Sequence, residues 1–146
     1  PDSLDHQMLN DSYFYGSSGG VAHREVLTVK LTGKGYAQKS GEIFGDSTSV
    51  TGVYQTLYEF RQNLAALGDS PLSYETLEIR HTHPSYDPGG RHFSRGDRQA
   101  SLKLRAYLNS EPELRHLTLK ESIIFEKGGS QAVTRVRTYE LRGKKR

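Results

Sequence analysis

A chain of 146 residues, 34% of them hydrophobic and 10% aromatic, is near the usual size of one domain and holds enough apolar residues for one modest core. The absence of cysteine excludes disulfides, zinc ribbons and thiol catalysis and fits a cytoplasmic setting. No apolar run approaches the roughly 20 residues that span a bilayer, nothing at the N-terminus reads as a signal peptide, and a net charge of +3 is only a weak nucleic-acid signal.

Residues 1–22, with "SYFYGSSGGV", show no sustained periodicity and read as a lead-in or linker, so the domain is expected over 23–141, with a basic tail at 142–146. The chain begins at Pro1, without a methionine, which fits a fragment of a longer protein. In "REVLTVKLT", Leu27, Val29 and Leu31 alternate with Thr28 and Lys30, the period of a half-buried strand, and Glu25 shares the apolar parity. "GKG" turns the chain into a second strand, "YAQKSGEIFG", to make a hairpin. Leu57, Phe60, Leu64 and Leu67 recur at helical spacing over 53–67, and Gly68 is the stop signal.

The strand expected at 75–83 places Leu77, Ile79, His81 and His83 on one face, because side chains alternate with period two. Its apolar face thus ends in two imidazoles, able to bind one cation at about 2.0–2.1 Å per nitrogen. Pro84 ends the strand. After a loop, "RGDRQASLKLRAYL" sets Ala100, Leu104, Tyr107 and Leu108 on one helical face, and strands at 117–125 and 132–141 complete a mixed α/β (α+β) domain.

The stretch "RHTHPSYDPGGRHFSRGD", residues 80–97, carries three of the 6 histidines and two aspartates. Ser94 and Asp97, three apart ahead of a helix, have the form of a capping box, and an H-x-H pair alone is often incidental. Their combination is what points to a metal: two histidines at a strand end, and an acid at a helix start facing back toward them. Asp87 fits the initiation of the "DPGG" turn. His92 is a spare ligand, a substrate contact or an exposed loop residue. His6, His23 and His116 lack partner spacing and read as surface residues.

"HTHPSYDP" followed by "SRGD" resembles the JAMM (MPN/JAB) metalloprotease signature, H-x-H with a later S-x-x-D and an upstream glutamate. With "AHREVLTVKLTGKG" and "SVTGVYQTLYEFRQNLAAL" in order before it, the chain over 23–128 is similar to the JAB domain of the RadC family. Two departures stand out: the ten residues between His83 and Ser94 make a longer loop than that family's, and Tyr86 replaces a usual glycine.

The resemblance implies an MPN/JAB (cytidine-deaminase-like) mixed β-sheet flanked by helices. It implies Zn2+ held by His81, His83 and Asp97, with Glu25 as catalytic base and Ser94 as oxyanion donor. Glu42 is the rival for the base. The expected activity is cleavage of a peptide or isopeptide bond in a protein or peptide substrate, with removal of a ubiquitin-like modifier as one form of it. RadC proteins also carry a DNA-repair label, so DNA is a second possible partner, through Arg135, Arg137, Arg142 and "KKR". A fold that keeps its site residues only to bind is the third reading.

Overall fold

The computed structural model describes residues 2–15, 19–46, 51–83, 93–126 and 134–145. The stretch 1–22, expected as a lead-in, carries regular structure instead. Helix α1 (Ser3–Asp11) starts in a capping box in which the Asp2 side chain accepts from the Asp5 amide and the Asp5 carboxylate from the Asp2 amide. Strands β1 (Tyr13–Tyr15) and β2 (Val21–His23) form a two-stranded antiparallel ribbon. Of the apolar residues of α1 only Met8 and Leu9 reach deep burial, and so small an apolar stripe leaves little periodicity to read.

Strand β3 (Val26–Gly33) follows. The single strand expected at 36–45 is two, β4 (Ala37–Lys39) and β5 (Ile43–Phe44), each antiparallel to β3. Ser40 and Gly41 interrupt them, and the Ser40 hydroxyl accepts from the Val29 amide, so the chain leaves and rejoins its partner. Helix α2 (Val53–Ala66) buries Leu57, Phe60 and Leu64, whereas Leu67 is exposed. Strand β6 (Tyr74–Thr82), helix α3 (Arg95–Ser110), β7 (Thr118–Glu126) and β8 (Thr134–Leu141) complete the order.

The main sheet runs β4-β3-β6-β7-β8, with β5 beside β3. It is mixed: β6 and β7 are parallel, and the other pairs antiparallel. Helices α2 and α3 pack on one face over Leu27, Val29, Leu31, Leu77, Ile79, Leu117 and Leu119. Helix α1 covers the opposite parity, where Met8 and Leu9 meet Val26 and Ile124. The fold is therefore α+β, a mixed sheet with helices on both faces. Among the described residues no helix is long and apolar enough to cross a membrane.

The inward face of α3 differs from the expected one by a small rotation. Ser101, Leu104, Arg105 and Leu108 are buried, whereas Ala100 is exposed at the rim of a cavity. Arg105 escapes detection as a core residue because its guanidinium donates to the carbonyls of Leu117, Leu141 and Arg115, which meets the demand for partners that burying a charge imposes. Two histidines read as surface residues are not. His23 is buried with its ring edge-on to Tyr13 at 5.2 Å, and half-buried His116 places Nε2 2.8 Å from the Tyr74 carbonyl. The start of the basic tail is also tied down, since the Lys144 amide donates to the Arg115 carbonyl at 2.7 Å. Pro84, Tyr86, Asp87, His92, Arg146 and the Arg135 side chain lie outside the described residues.

Candidate metal centre

Three neighbouring strands carry their apolar faces into polar residues beneath the start of α3. On β6 the run Leu77, Ile79 continues as His81 and, just past the strand's end, His83, 7% and 6% exposed. On β3 it passes from Leu27 back to Glu25, 8% exposed, one residue before the strand. On β7 it passes from Leu119 to Glu121, 7% exposed, which stands opposite Ile79, one row below His81. The site therefore lies at the carboxyl end of β6 beside the β6–α3 connection, where open α/β sheets place ligands.

Asp97 comes from the helix. Ser94 is the N-cap: its Oγ accepts from the Asp97 amide at 3.0 Å while Asp97 Oδ2 accepts from the Ser94 amide at 2.8 Å. The capping box is real, and it aims the carboxylate instead of occupying it. Asp97 Oδ1 lies 3.4 Å from His81 Nε2, and Oδ2 lies 3.1 Å from His83 Nε2. The two Nε2 atoms are 2.9 Å apart.

These separations can be compared with a known geometry. A tetrahedral zinc centre with bonds of about 2.0–2.1 Å spaces its donor atoms about 3.3 Å apart, and the observed values fall on either side of that. Hydrogen bonds alone serve the cluster poorly. If both Nε2 atoms carry protons to satisfy the carboxylate, two N–H groups face each other, and if one does not, Asp97 loses a donor. A single cation satisfies all three side chains. His81, His83 and Asp97 form the one such group found among the described residues, with donor atoms within 4.8 Å of one another.

The electrostatics divide the acids. Burial works against ionising Asp97, but the hydrogen bonds from His81, His83 and the Ser94 amide outweigh it and hold the carboxyl well below the usual range, so it is a ready anionic ligand. Burial pushes Glu25 up, only partly opposed by the two histidines. The Glu25 backbone is pinned on both sides, its amide donating to Asp46 and its carbonyl accepting from Gly45. Burial likewise raises Glu121, against a hydrogen bond from Ser101.

The cavity in front of the cluster, about 320 Å3, is lined by Glu25, His81, Ser94, Asp97 and Glu121 on its polar side and by Leu27, Val53, Tyr54, Ile79 and Leu104 on its apolar side. Among the described residues no lysine or arginine lines it. Thus all five site residues read from the sequence are brought together: the two histidines and Asp97 in one cluster, Glu25 and Ser94 on the cavity wall. Glu42, the rival base, lies in a separate cavity with Lys30, Lys39 and Arg80. Glu121, Tyr139 and Ser101 were missed. Glu121 had a signal, an acid on the core parity of an apolar strand; the hydroxyls of Ser101 and Tyr139 had none.

Comparisons with protein-family models, with curated proteins and with solved structures find no match for this chain.

Proposed function

We propose that the protein is a zinc-dependent hydrolase of peptide or isopeptide bonds, of the JAMM type its motifs resemble. The observation that carries this reading is the convergence of His81, His83 and Asp97 within 4.8 Å, on a cavity that also takes in the buried carboxyl of Glu25. Two histidines and one carboxylate make a three-ligand set that leaves a coordination position open, the arrangement of a catalytic zinc site. Zinc bound there supplies Lewis acidity and a nucleophile at neutral pH, because it lowers the pKa of water from about 15.7 to about 7.

The chain's own residues do the rest. Glu25, with a raised affinity for protons, accepts one from the attacking water and returns it to the leaving amine, a role suited to a carboxyl whose pKa lies closer to neutrality than usual. Ser94 Oγ accepts from the Asp97 amide, so its own proton is free to donate to the oxyanion that develops on the scissile carbonyl. Leu27, Val53 and Tyr54 give the cavity an apolar wall for the substrate chain. Removal of a ubiquitin-like modifier from a lysine is the isopeptide form of the same reaction.

DNA is the second reading, favoured by the exposed Arg137, Arg142, Lys144 and Lys145 along and beyond β8. It concerns the surface only. Among the described residues the cavity lining holds three acids and no lysine or arginine, so the basic residues of this edge are not part of the site.

The test is zinc content by plasma mass spectrometry on the purified chain and on Asp97→Ala and His83→Ala, followed by a cleavage screen of peptide and isopeptide substrates. About one zinc per chain, lost in both variants, with cleavage abolished by Glu25→Ala, is the expected result. Bound zinc without cleavage of any amide leaves a binding module, and no zinc in the wild type refutes the centre. Steeply salt-dependent DNA affinity is the mark of the second reading.

A further inference from the structure

The three proposed ligands come from two layers. His81 and His83 belong to the sheet, whereas Asp97 rides on α3, so the helix-to-sheet spacing decides whether the third donor reaches the other two. A chain of polar groups, Ser101 and Glu121 buried and Tyr139 half-buried, spans that gap. Ser101, one turn beyond Asp97 and 1% exposed, places Oγ 2.8 Å from the Asp97 carbonyl and 2.7 Å from Glu121 Oε2 on β7. The Tyr139 hydroxyl, from β8, donates to Ser101 Oγ and lies 3.3 Å from the same Glu121 oxygen. With Glu121 ionised, the protons run one way, tyrosine to serine and serine to carboxylate, so the single Ser101 proton ties helix α3 to β7 and the Asp97 carbonyl only lies beside it. Burial, as the largest effect, with Glu121 beside it, pushes the Tyr139 hydroxyl up to about 12, so it keeps its proton to donate.

The same tyrosine also holds the helix cap. The Phe93 ring, one residue before the N-cap Ser94, meets Tyr139 edge-on at 4.4 Å between centroids. The cap and the first turn of α3 are thus gripped from β7 and β8 together. Glu121 itself is not one of the donors that converge on the metal position.

Stability alone does not explain Glu121. It occupies the core parity of β7, in line with Leu119, and its hydrogen-bond donors are neutral hydroxyls. A leucine there would avoid the desolvation of a carboxylate, and well-packed apolar replacements of buried charges are often neutral or stabilising.

We propose that Ser101, Glu121 and Tyr139 form a positioning brace that fixes Asp97 against His81 and His83 and so sets how tightly the site holds its metal. The brace rests on the metal-centre reading above. It acts through Asp97 and touches neither metal nor substrate.

The experiment is zinc affinity, by competition with a chromophoric chelator, and the visible absorption of the cobalt-loaded protein. Both are measured for wild type, Ser101→Ala, Tyr139→Phe, Glu121→Gln and Glu121→Leu, with the melting temperature of each metal-free protein alongside. Ser101→Ala, Tyr139→Phe and Glu121→Leu are expected to bind zinc about 10- to 100-fold more weakly, the usual effect of losing a partner behind a ligand, with an altered cobalt spectrum. Glu121→Gln still accepts from Ser101 and loses less. Glu121→Leu carries the decision, because its metal-free form melts no lower than wild type while its zinc affinity falls. Variants that bind zinc as tightly as wild type with an unchanged cobalt spectrum overturn the brace and leave the metal centre standing. A wild type that takes up no zinc overturns both.

Discussion

Ser94 and Asp97 hold each other, yet only one of them is proposed as a ligand, and this separates capping from metal binding. Consider melting temperatures with and without zinc. Zinc at 100 times its dissociation constant stabilises the folded state by about 2.7 kcal/mol, and for a chain of 146 residues each kcal/mol raises the midpoint by roughly 2–4 °C. Zinc should therefore raise the wild-type midpoint by about 5–11 °C. Ser94→Ala removes the oxygen that accepts from the Asp97 amide at 3.0 Å. That costs about 1 kcal/mol, or roughly 2–4 °C without metal, and most of the zinc increment stays. Asp97→Asn keeps an oxygen for the Ser94 amide but loses the anionic donor 3.1 Å and 3.4 Å from the two imidazoles. If that weakens zinc by about a hundredfold, the increment at the same zinc concentration shrinks to about 0.4 kcal/mol, or 1–2 °C. Differential scanning calorimetry at pH 7.5 reads all four quantities. An equal zinc increment in Asp97→Asn and wild type would refute the reasoning, because zinc would then be held elsewhere.

Three further outcomes are expected. Burial raises Glu25 above its ordinary value of 4.5, so the metal-free protein binds its proton more readily folded than unfolded. That contribution is present at acid pH and lost as pH rises from 4.5 through the raised folded value. Glu25→Gln should then melt higher than wild type at pH 8, with the gap closing toward pH 4, while amide cleavage falls by about 10²- to 10⁴-fold; a gap that widens toward acid pH contradicts the burial argument. Leu9→Ala empties a site in α1 that is 1% exposed and should cost about 2–5 kcal/mol in a urea titration, whereas a loss below about 0.5 kcal/mol would make α1 an ornament on the sheet. Gly143→Ala drives a methyl into the backbone carbonyls of His116 and Leu117. It should destabilise by about 1–3 kcal/mol in the same assay, and an unchanged midpoint would show that the segment after β8 is free to move away.

What the sequence disclosed depended on period and on charge. Leu27, Val29 and Leu31, and Leu77 with Ile79, announced β3 and β6 because alternation over five or more residues is a strong pattern. The same parity put His81 and His83 on the core face, and the S-x-x-D spacing brought Asp97 to the start of a helix. The parts that escaped are those whose partners lie far along the chain. Helix α1 shows two deeply buried apolar residues in nine, and its place depends on Ile124, more than a hundred residues on. Arg105 reads as an outward charge until three carbonyls from distant segments are seen around it. Ser101 and Tyr139 are 38 residues apart, and no local rule pairs their hydroxyls.

The capping box and the metal ligand look like rival accounts of "SRGD", and the geometry shows why they are not. A carboxylate has two oxygens and about four lone-pair directions. Asp97 gives one direction on Oδ2 to the Ser94 amide, which leaves Oδ1 and the rest of Oδ2 facing the histidines. The cap stabilises the helix start and fixes the side-chain torsions at the same time, so the ordering entropy that a metal ligand must otherwise lose on binding is already lost on folding. A ligand preorganised in this way also holds its neighbour: because Ser94 Oγ accepts from the Asp97 amide, its proton is free to be donated elsewhere, and Ser94 lines the cavity. A single local motif thus supplies a metal donor and a hydroxyl donor in fixed relation, and its structural role is the means by which it can serve a catalytic one.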